Sequence, residues 1–146
     1  LGLRHVLSET EGRRVVSVIG DSTFVHSGIT GLVEMLYNPP PTGHLVIILD
    51  NSTTAMTGLQ EHPGTGKRLN HEPTNRIVFE DLIRSLGIKN VDVVDPGRDE
   101  AAFEKLIRDR LAASELSVVI VRRPCILAFK RNRELERAAK GEASHG

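Results

Sequence analysis

Residues 15–24, VVSVIGDSTF, join a β-branched apolar run to a Gly-Asp-Ser ending. A similar arrangement returns at residues 45–54, LVIILDNSTT, where the apolar run ends in Asp-Asn. Short runs of this kind are typical of strands that are buried on both faces of a parallel sheet. Two further runs, at residues 91–94 and 118–121, bring the predicted strands to four.

Helical patterns lie between these runs. Apolar residues recur with the spacing of one helix face over residues 29–37, for which Ser27 is the candidate cap, and again over residues 78–86 and 103–111. Gly87 is placed to end the second helix in a left-handed conformation. Because strands and helices alternate, we predict the α/β class, with an open, mostly parallel sheet and helices on both faces.

Composition excludes several classes of protein. The chain carries 19 Lys and Arg against 19 Asp and Glu, so it has no net attraction for nucleic acid. No apolar run approaches the roughly 20 residues of a membrane helix, and no signal-peptide pattern is present. The single Cys125 excludes a disulfide framework and a cysteine-ligated iron–sulfur cluster. We therefore expect a cytoplasmic protein with neither nucleic acid nor membrane as a partner.

Two segments stand apart from the alternating pattern. Residues 51–75 are rich in Thr, Gly and His and have no period, which is long for a connection in a domain and favours a functional loop. Residues 130–146 begin with a strongly charged stretch, typical of a solvated terminal helix or tail. We expect residues 1–129 to form one domain and residues 130–146 to form this helix or tail.

The polar residues that follow the first two strands carry the candidate chemistry, because open α/β sheets bind ligands beyond the carboxyl ends of their strands. Gly20 lets the chain turn and lets a ligand approach the backbone, and Asp21 offers a carboxylate oxygen. The amides of Ser22 and Thr23 are expected to face an anion. Asn51 adds an amide oxygen, and a nearby carbonyl adds a third ligand. This donor set suits an octahedral Mg²⁺ that also binds diphosphate.

The interval from Gly20 to Asn51 closely resembles the thiamine-diphosphate motif. Its usual form is Gly-Asp-Gly, a little under 30 residues, and then Asn; here GDS is followed by 27 residues and Asp-Asn. The fuller strings GDSTFVHSGITGL and LDNSTTAMTGLQEHPGTG resemble the alpha subunit of the indolepyruvate:ferredoxin oxidoreductase family, within the 2-oxoacid:ferredoxin oxidoreductase superfamily. The resemblance is strong over residues 15–66 and looser elsewhere. Ser22 replaces the second Gly of the common motif, as is typical of the indolepyruvate branch.

The resemblance implies a set of cofactor-binding residues on the two strand ends: Gly20, Asp21, Ser22, Thr23, Asn51, Thr53 and Thr54. Within it, the side chains of Asp21 and Asn51 and the carbonyl of Thr53 are the implied Mg²⁺ ligands. Ser22 and Thr23 are implied to contact the diphosphate of thiamine diphosphate, with Thr54 beside it.

The resemblance also implies what other parts of an enzyme supply. An activating Glu belongs to a separate pyrimidine-binding domain or subunit, and a ferredoxin or iron–sulfur subunit accepts the electrons. The implied reaction is oxidative decarboxylation of a 2-oxoacid, an aryl pyruvate such as indolepyruvate, to its acyl-CoA with CoA as the second substrate. This chain alone is then expected to be inactive, and relatives suggest an oligomer, with a dimer as the expected form.

Two alternatives remain open. VSVIGDSTF also resembles the start of a Gly-Asp-Ser hydrolase with Ser22 as nucleophile, although no Asp is followed three residues later by the required His. A non-catalytic α/β module that binds nucleotides or other proteins is the second. His26 is a weak catalytic candidate near the site. His62, His71 and Cys125 receive no role from the sequence.

Overall fold

The computed structural model describes residues 2–55, 57–127 and 130. Its centre is a parallel sheet of four strands in this part of the chain: β1 (Val16–Gly20), β2 (His44–Asp50), β3 (Asn90–Val94) and β4 (Leu116–Arg122). The strand order is β1-β2-β4-β3. The predicted open parallel α/β sheet is confirmed. Apart from Lys130, the predicted terminal helix or tail lies outside the described residues.

The helices of the described ranges connect and flank the strands. They are α1 (Gly2–Val6), α2 (Glu9–Gly12), α3 (Asp21–Thr23), a π-helical turn (Phe24–Gly28), α4 (Ile29–Tyr37), α5 (Phe79–Ser85) and α6 (Glu100–Ala112). Gly87 follows α5 with φ +99°, as predicted for a residue that ends a helix. None of these helices combines the length and the apolar character that crossing a bilayer requires.

The helix after β1 begins earlier than the sequence predicts. It runs from Asp21 through the π-helical turn into α4 without a break, so Ser27 lies inside it and the prediction that Ser27 caps α4 is wrong. The Ser27 hydroxyl donates instead to the carbonyl of Thr23, one turn earlier. A Cβ on Gly28 would lie 2.6 Å from Cδ1 of Ile19, which shows how closely the π-helical turn packs on β1.

Both faces of the sheet carry helices, but the cover is uneven. One face packs against α4 and α5 in a core that contains Phe24, Leu32, Val46, Ile48, Phe79, Ile83, Val118 and Ile120. On the other face, Arg110 of α6 donates two hydrogen bonds to Asp92 of β3. Val18 of β1 is 59% exposed and Leu49 of β2 is 46% exposed. The expectation that the strands are buried on both faces is therefore wrong at this corner, which no described helix covers.

The parallel register sets the position of the site. Gly20 pairs with Leu49, and Asp50 pairs with Arg122. The carboxyl ends of β1, β2 and β4 consequently meet along one edge of the sheet, and the polar residues that follow β1 and β2 begin there.

Candidate functional site

A cavity of about 300 Å³ opens where β1 and β2 end. It is lined by Leu49, Ala55 and all seven residues of the predicted set: Gly20, Asp21, Ser22, Thr23, Asn51, Thr53 and Thr54. Two stretches that are about 30 residues apart in sequence therefore contribute to one concave site.

Asp21 is the buried acidic group of this cavity, with 3% of its surface exposed. Its Oδ1 accepts a hydrogen bond from the amide of Ser22 at 2.8 Å, and its Oδ2 accepts from the amide of Ser52 at 2.9 Å. Nε2 of His62 lies 3.2 Å from the same Oδ2. Burial favours the neutral acid, but these hydrogen bonds outweigh it and lower the pKa of the Asp21 carboxyl. A carboxylate therefore stands at the edge of the cavity at neutral pH.

His62 belongs to the site although sequence reasoning left it without a role. Its side chain is fully buried, and its ring stacks on Phe79 with 6.3 Å between centroids and 12° between planes. A Cβ on Gly64 would lie 2.4 Å from the Phe79 ring, so the loop reaches this position only with Gly there. His62 and Asp21 are 41 positions apart, so no short-range spacing in the sequence predicts their contact. The Pro-Gly pair directly after His62 is the sequence feature that marks this part of the long loop.

Asn51 and Ser52 form a tight turn at the end of β2. Oδ1 of Asn51 accepts from the amide of Thr53 at 3.1 Å, and Ser52 has φ +59°. The amide of Ser52 also donates to Oδ1 of Asp50 at 3.1 Å, in addition to its bond with Asp21. This one amide joins the two strand ends.

The turn is anchored by an ion-pair network that the sequence did not reveal. Nε of Arg122 lies 2.6 Å from Oδ2 of buried Asp50, while its two terminal nitrogens bind both carboxylate oxygens of Glu80 at 3.0 and 2.8 Å. The hydrogen bonds from Arg122 lower the pKa of Glu80 to about 2. The network ties β2, β4 and α5 together directly behind the Asn51–Ser52 turn.

Hydroxyl groups form another part of the cavity. Oγ1 of Thr54 donates to Oγ of Ser22 at 2.9 Å, which joins the two strand ends a second time. The amide of Ser22 was expected to face an anion, but it donates to the carboxylate of Asp21, which bends back towards the first turn of the helix.

Gly20 has φ −78°, which any residue adopts, so the turn does not require Gly at this position, contrary to the expectation. A Cβ there would meet open space, and the backbone at Gly20 is accessible to a ligand.

His26 does not line this cavity. It lines a neighbouring one, together with Glu61, His62 and Lys67. Nδ1 of His26 lies 2.7 Å from the carbonyl oxygen of Ser22 and 3.5 Å from its Oγ. A carbonyl only accepts, so Nδ1 carries the hydrogen and does not take a proton from Ser22.

The hydrolase alternative needs a histidine that accepts the proton of Ser22, and the other histidines near the site do not provide one either. Both ring nitrogens of His62 are engaged, with Asp21 and with the amide of Gly64. His71 pairs with Glu61 at 3.1 Å on the surface. The described residues hold no histidine placed to activate Ser22.

Two remaining observations concern metals and Cys125. No group of three or more His, Cys, Asp or Glu side chains in the described ranges is arranged to hold a metal ion. A metal in this cavity therefore needs other oxygen ligands, such as those of Asn51, a carbonyl or a phosphate. Cys125 is half-buried, and its amide donates to the carbonyl of Asn51 at 3.0 Å.

Comparison with known proteins gives one family. The family described as thiamine pyrophosphate enzyme, C-terminal TPP binding domain, matches residues 2–121. The chain is similar to the indolepyruvate oxidoreductase subunit IorA of Archaeoglobus fulgidus, with 40% identity over 135 residues, which are 92% of this chain and 20% of that protein. It is similar to the Pyrococcus horikoshii protein of the same name, with 40% identity over 127 residues, 87% of this chain and 19% of that protein.

The similarity extends to a third archaeal protein. The IorA subunit of Methanothermobacter thermautotrophicus is 36% identical over 142 residues, which are 97% of this chain and 22% of that protein. The chain thus spans about a fifth of the length of these curated relatives. No solved structure gave a significant match. The resemblance that the motif at Gly20 and Asn51 predicted is confirmed.

Proposed function

The chain belongs to the family of C-terminal thiamine diphosphate-binding domains of thiamine pyrophosphate enzymes, and we propose that it binds the diphosphate of the cofactor through Mg²⁺. The complete enzyme that we propose is an indolepyruvate or aryl pyruvate:ferredoxin oxidoreductase. A single observation supports the proposal most: one cavity gathers a buried, ionised Asp21, the Asn51 side chain and a set of hydroxyl groups.

The residues present fit a hydrated, phosphate-bound Mg²⁺. Among the described residues, Oδ1 of Asp21 accepts one hydrogen bond, from Ser22, so a lone pair is left for a metal. Oδ1 of Asn51 likewise accepts one, from Thr53. Mg²⁺ prefers such hard oxygen ligands, takes few of them from protein, and completes its shell with phosphate and water.

Each of the seven predicted residues that line the cavity then has a proposed role. Asp21, Asn51 and the Thr53 carbonyl are the proposed protein ligands of the metal. The hydroxyls of Ser22 and Thr23 are proposed to donate to the diphosphate, since hydroxyls can donate to anionic oxygens without adding charge, while Thr54, which donates to Ser22, lies beside it. Gly20 leaves room for the cofactor against the backbone. Thiamine diphosphate, when bound, supplies the carbanion chemistry of 2-oxoacid decarboxylation, while the protein supplies placement and electrostatics.

The rest of the reaction is proposed to depend on other parts of the assembly. A pyrimidine-binding domain or subunit supplies the activating Glu, and an iron–sulfur subunit or ferredoxin accepts the electrons, with an acyl-CoA as product. The length of the curated relatives supports this division, because about four fifths of each lies outside the region that this chain matches.

Metal removal tests the proposal. In calorimetric titrations of the native assembly with thiamine diphosphate, we expect binding in the presence of Mg²⁺ and almost none after chelation, because the diphosphate otherwise faces the Asp21 carboxylate. Restoring Mg²⁺ should restore binding. Equal affinity for thiamine diphosphate with and without a divalent cation would contradict binding of the diphosphate through a metal. It would favour the alternative of a non-catalytic binding module.

A further inference from the structure

Among the described side chains of the long loop, the buried imidazole of His62 is the one that reaches an acidic group of the cavity. Nε2 of His62 lies 3.2 Å from Oδ2 of Asp21, and the two side chains are 0% and 4% exposed. The motif at Gly20 and Asn51 does not include His62. The contact therefore needs an explanation of its own.

Hydrogen bonding determines which nitrogen of His62 carries the hydrogen. The amide of Gly64 lies 3.1 Å from Nδ1, and an amide N–H only donates, so Nδ1 is the acceptor. The neutral ring then carries its hydrogen on Nε2 and donates it to Asp21. The contact is a directed hydrogen bond, and it exists without a positive charge on His62.

The fold holds the ring in this place. The carbonyl of His62 accepts from both the amide and the hydroxyl of Thr65, at 2.9 and 3.0 Å. The carbonyl of the next residue, Pro63, accepts from the amide of Ile77 at 2.9 Å. Phe79 lies parallel to the imidazole on one side. The loop backbone and α5 thus position the ring independently of the cavity.

The two oxygens of Asp21 are consequently unequal. Oδ2 accepts from His62 and from the Ser52 amide, whereas Oδ1 accepts only from Ser22 among the described residues. We propose that His62 is a positioning residue for the metal site: it turns Oδ2 of Asp21 towards the loop and leaves Oδ1 as the oxygen that binds Mg²⁺. The inference rests on the proposed function, since it assigns an orientation to a ligand of the metal.

Two substitutions separate the two hydrogen bonds of His62. In His62→Asn the amide oxygen replaces Nδ1 and still accepts from Gly64, but the side chain is too short to reach Asp21. In His62→Gln the terminal amide reaches the position of Nε2 and still donates to Asp21, but the acceptor for Gly64 is lost. His71→Asn is the matched control, because His71 lies in the same loop and pairs with a carboxylate outside the cavity, that of Glu61. Asn also tolerates the φ of +66° at position 71.

The measurement is the Kd for Mn²⁺, a spectroscopic substitute for Mg²⁺, obtained by electron paramagnetic resonance of the native assembly with thiamine diphosphate present. Loss of an outer partner of a metal ligand typically weakens metal binding about 10- to 100-fold, which is the increase in Kd expected for His62→Asn. His62→Gln and His71→Asn should keep the Kd close to the unmodified value. Unfolding midpoints of all variants are recorded, and binding is measured below the lowest of them.

Either variant of His62 alone can overturn the inference. It is wrong if folded His62→Asn binds Mn²⁺ as tightly as the unmodified protein, or if folded His62→Gln loses ten-fold or more. An effect of Asp21→Asn without any effect of His62→Asn leaves the proposed function standing and rejects the role of His62. Absence of Mn²⁺ binding by the unmodified assembly rejects both.

Discussion

Asp21→Asn is expected to weaken Mg²⁺-dependent binding of thiamine diphosphate by at least about 100-fold, because loss of an outer partner alone costs 10- to 100-fold and Asp21 is proposed to bind the metal directly. The substitution keeps the shape of the side chain and removes its charge. One oxygen also becomes an NH₂ group, which cannot accept: at the position of Oδ1 it faces the Ser22 amide, and at that of Oδ2 it faces the donors of Ser52 and His62. Calorimetry at saturating Mg²⁺ measures the loss.

Asp81→Asn is the control for this comparison. Its side chain is 74% exposed on α5, so the same chemical change should leave cofactor binding as it is. If Asp21→Asn bound thiamine diphosphate as tightly as Asp81→Asn, Asp21 would not be a metal ligand. Unfolding midpoints of both variants show whether a loss of binding reflects a loss of fold.

Arg122→Met is expected to lower the free energy of unfolding by about 3 kcal/mol, since removing one partner of a buried ion pair leaves an uncompensated charge. Asp50 is 3% exposed and has its main cationic partner in Arg122. The loss is measured by urea unfolding. Arg108→Met is the matched control: Arg108 pairs with Glu104 on the exposed side of α6, where such a pair contributes at most about 0.5 kcal/mol. Equal effects of the two substitutions would show that the network does not stabilise the fold.

Acid unfolding gives the same prediction a second readout. Arg122 lowers the pKa of Glu80 from 4.5 to about 2. Because the folded protein holds this proton less tightly than the unfolded chain, the stabilisation is complete above pH 4.5 and is lost as the pH falls towards 2. Arg122→Met should lose stability less steeply than the unmodified protein over this range. Parallel curves for the two proteins would contradict the role of Arg122.

The sheet could be predicted from sequence because its strands are marked by their burial. The runs at residues 45–49 and 118–121 are apolar since they lie in the middle of the sheet. The strands extend further in the structure, to His44, Asp50 and Arg122, because hydrogen bonding continues where the apolar pattern has ended. The early start of the helix at Asp21 is not evident from the sequence, because its first three residues are polar and the regular apolar spacing begins only at Ile29, although Phe24 in the π-helical turn already belongs to the core.

The candidate site likewise contains some residues that could be predicted from sequence and others that could not. Gly20 ends β1, and Asp21 and Asn51 directly follow β1 and β2, so a local motif and the topology of a parallel sheet were enough to predict that they meet. His62 and Arg122 could not be predicted, because their partners lie 41 and 72 residues away and the contacts depend on how the loop and β4 fold. Neither residue stands in a pattern that spacing reveals.

A crystal structure of the assembly with Mn²⁺ and thiamine diphosphate tests most directly whether the diphosphate is bound through a metal ion. Anomalous scattering locates the manganese without reference to the protein model. The proposed function predicts one ion between the diphosphate and the end of the sheet, at roughly 2.0–2.2 Å from Oδ1 of Asp21 and from the side-chain oxygen of Asn51. A diphosphate bound in this cavity without an ion, or an ion that does not touch Asp21, would contradict it.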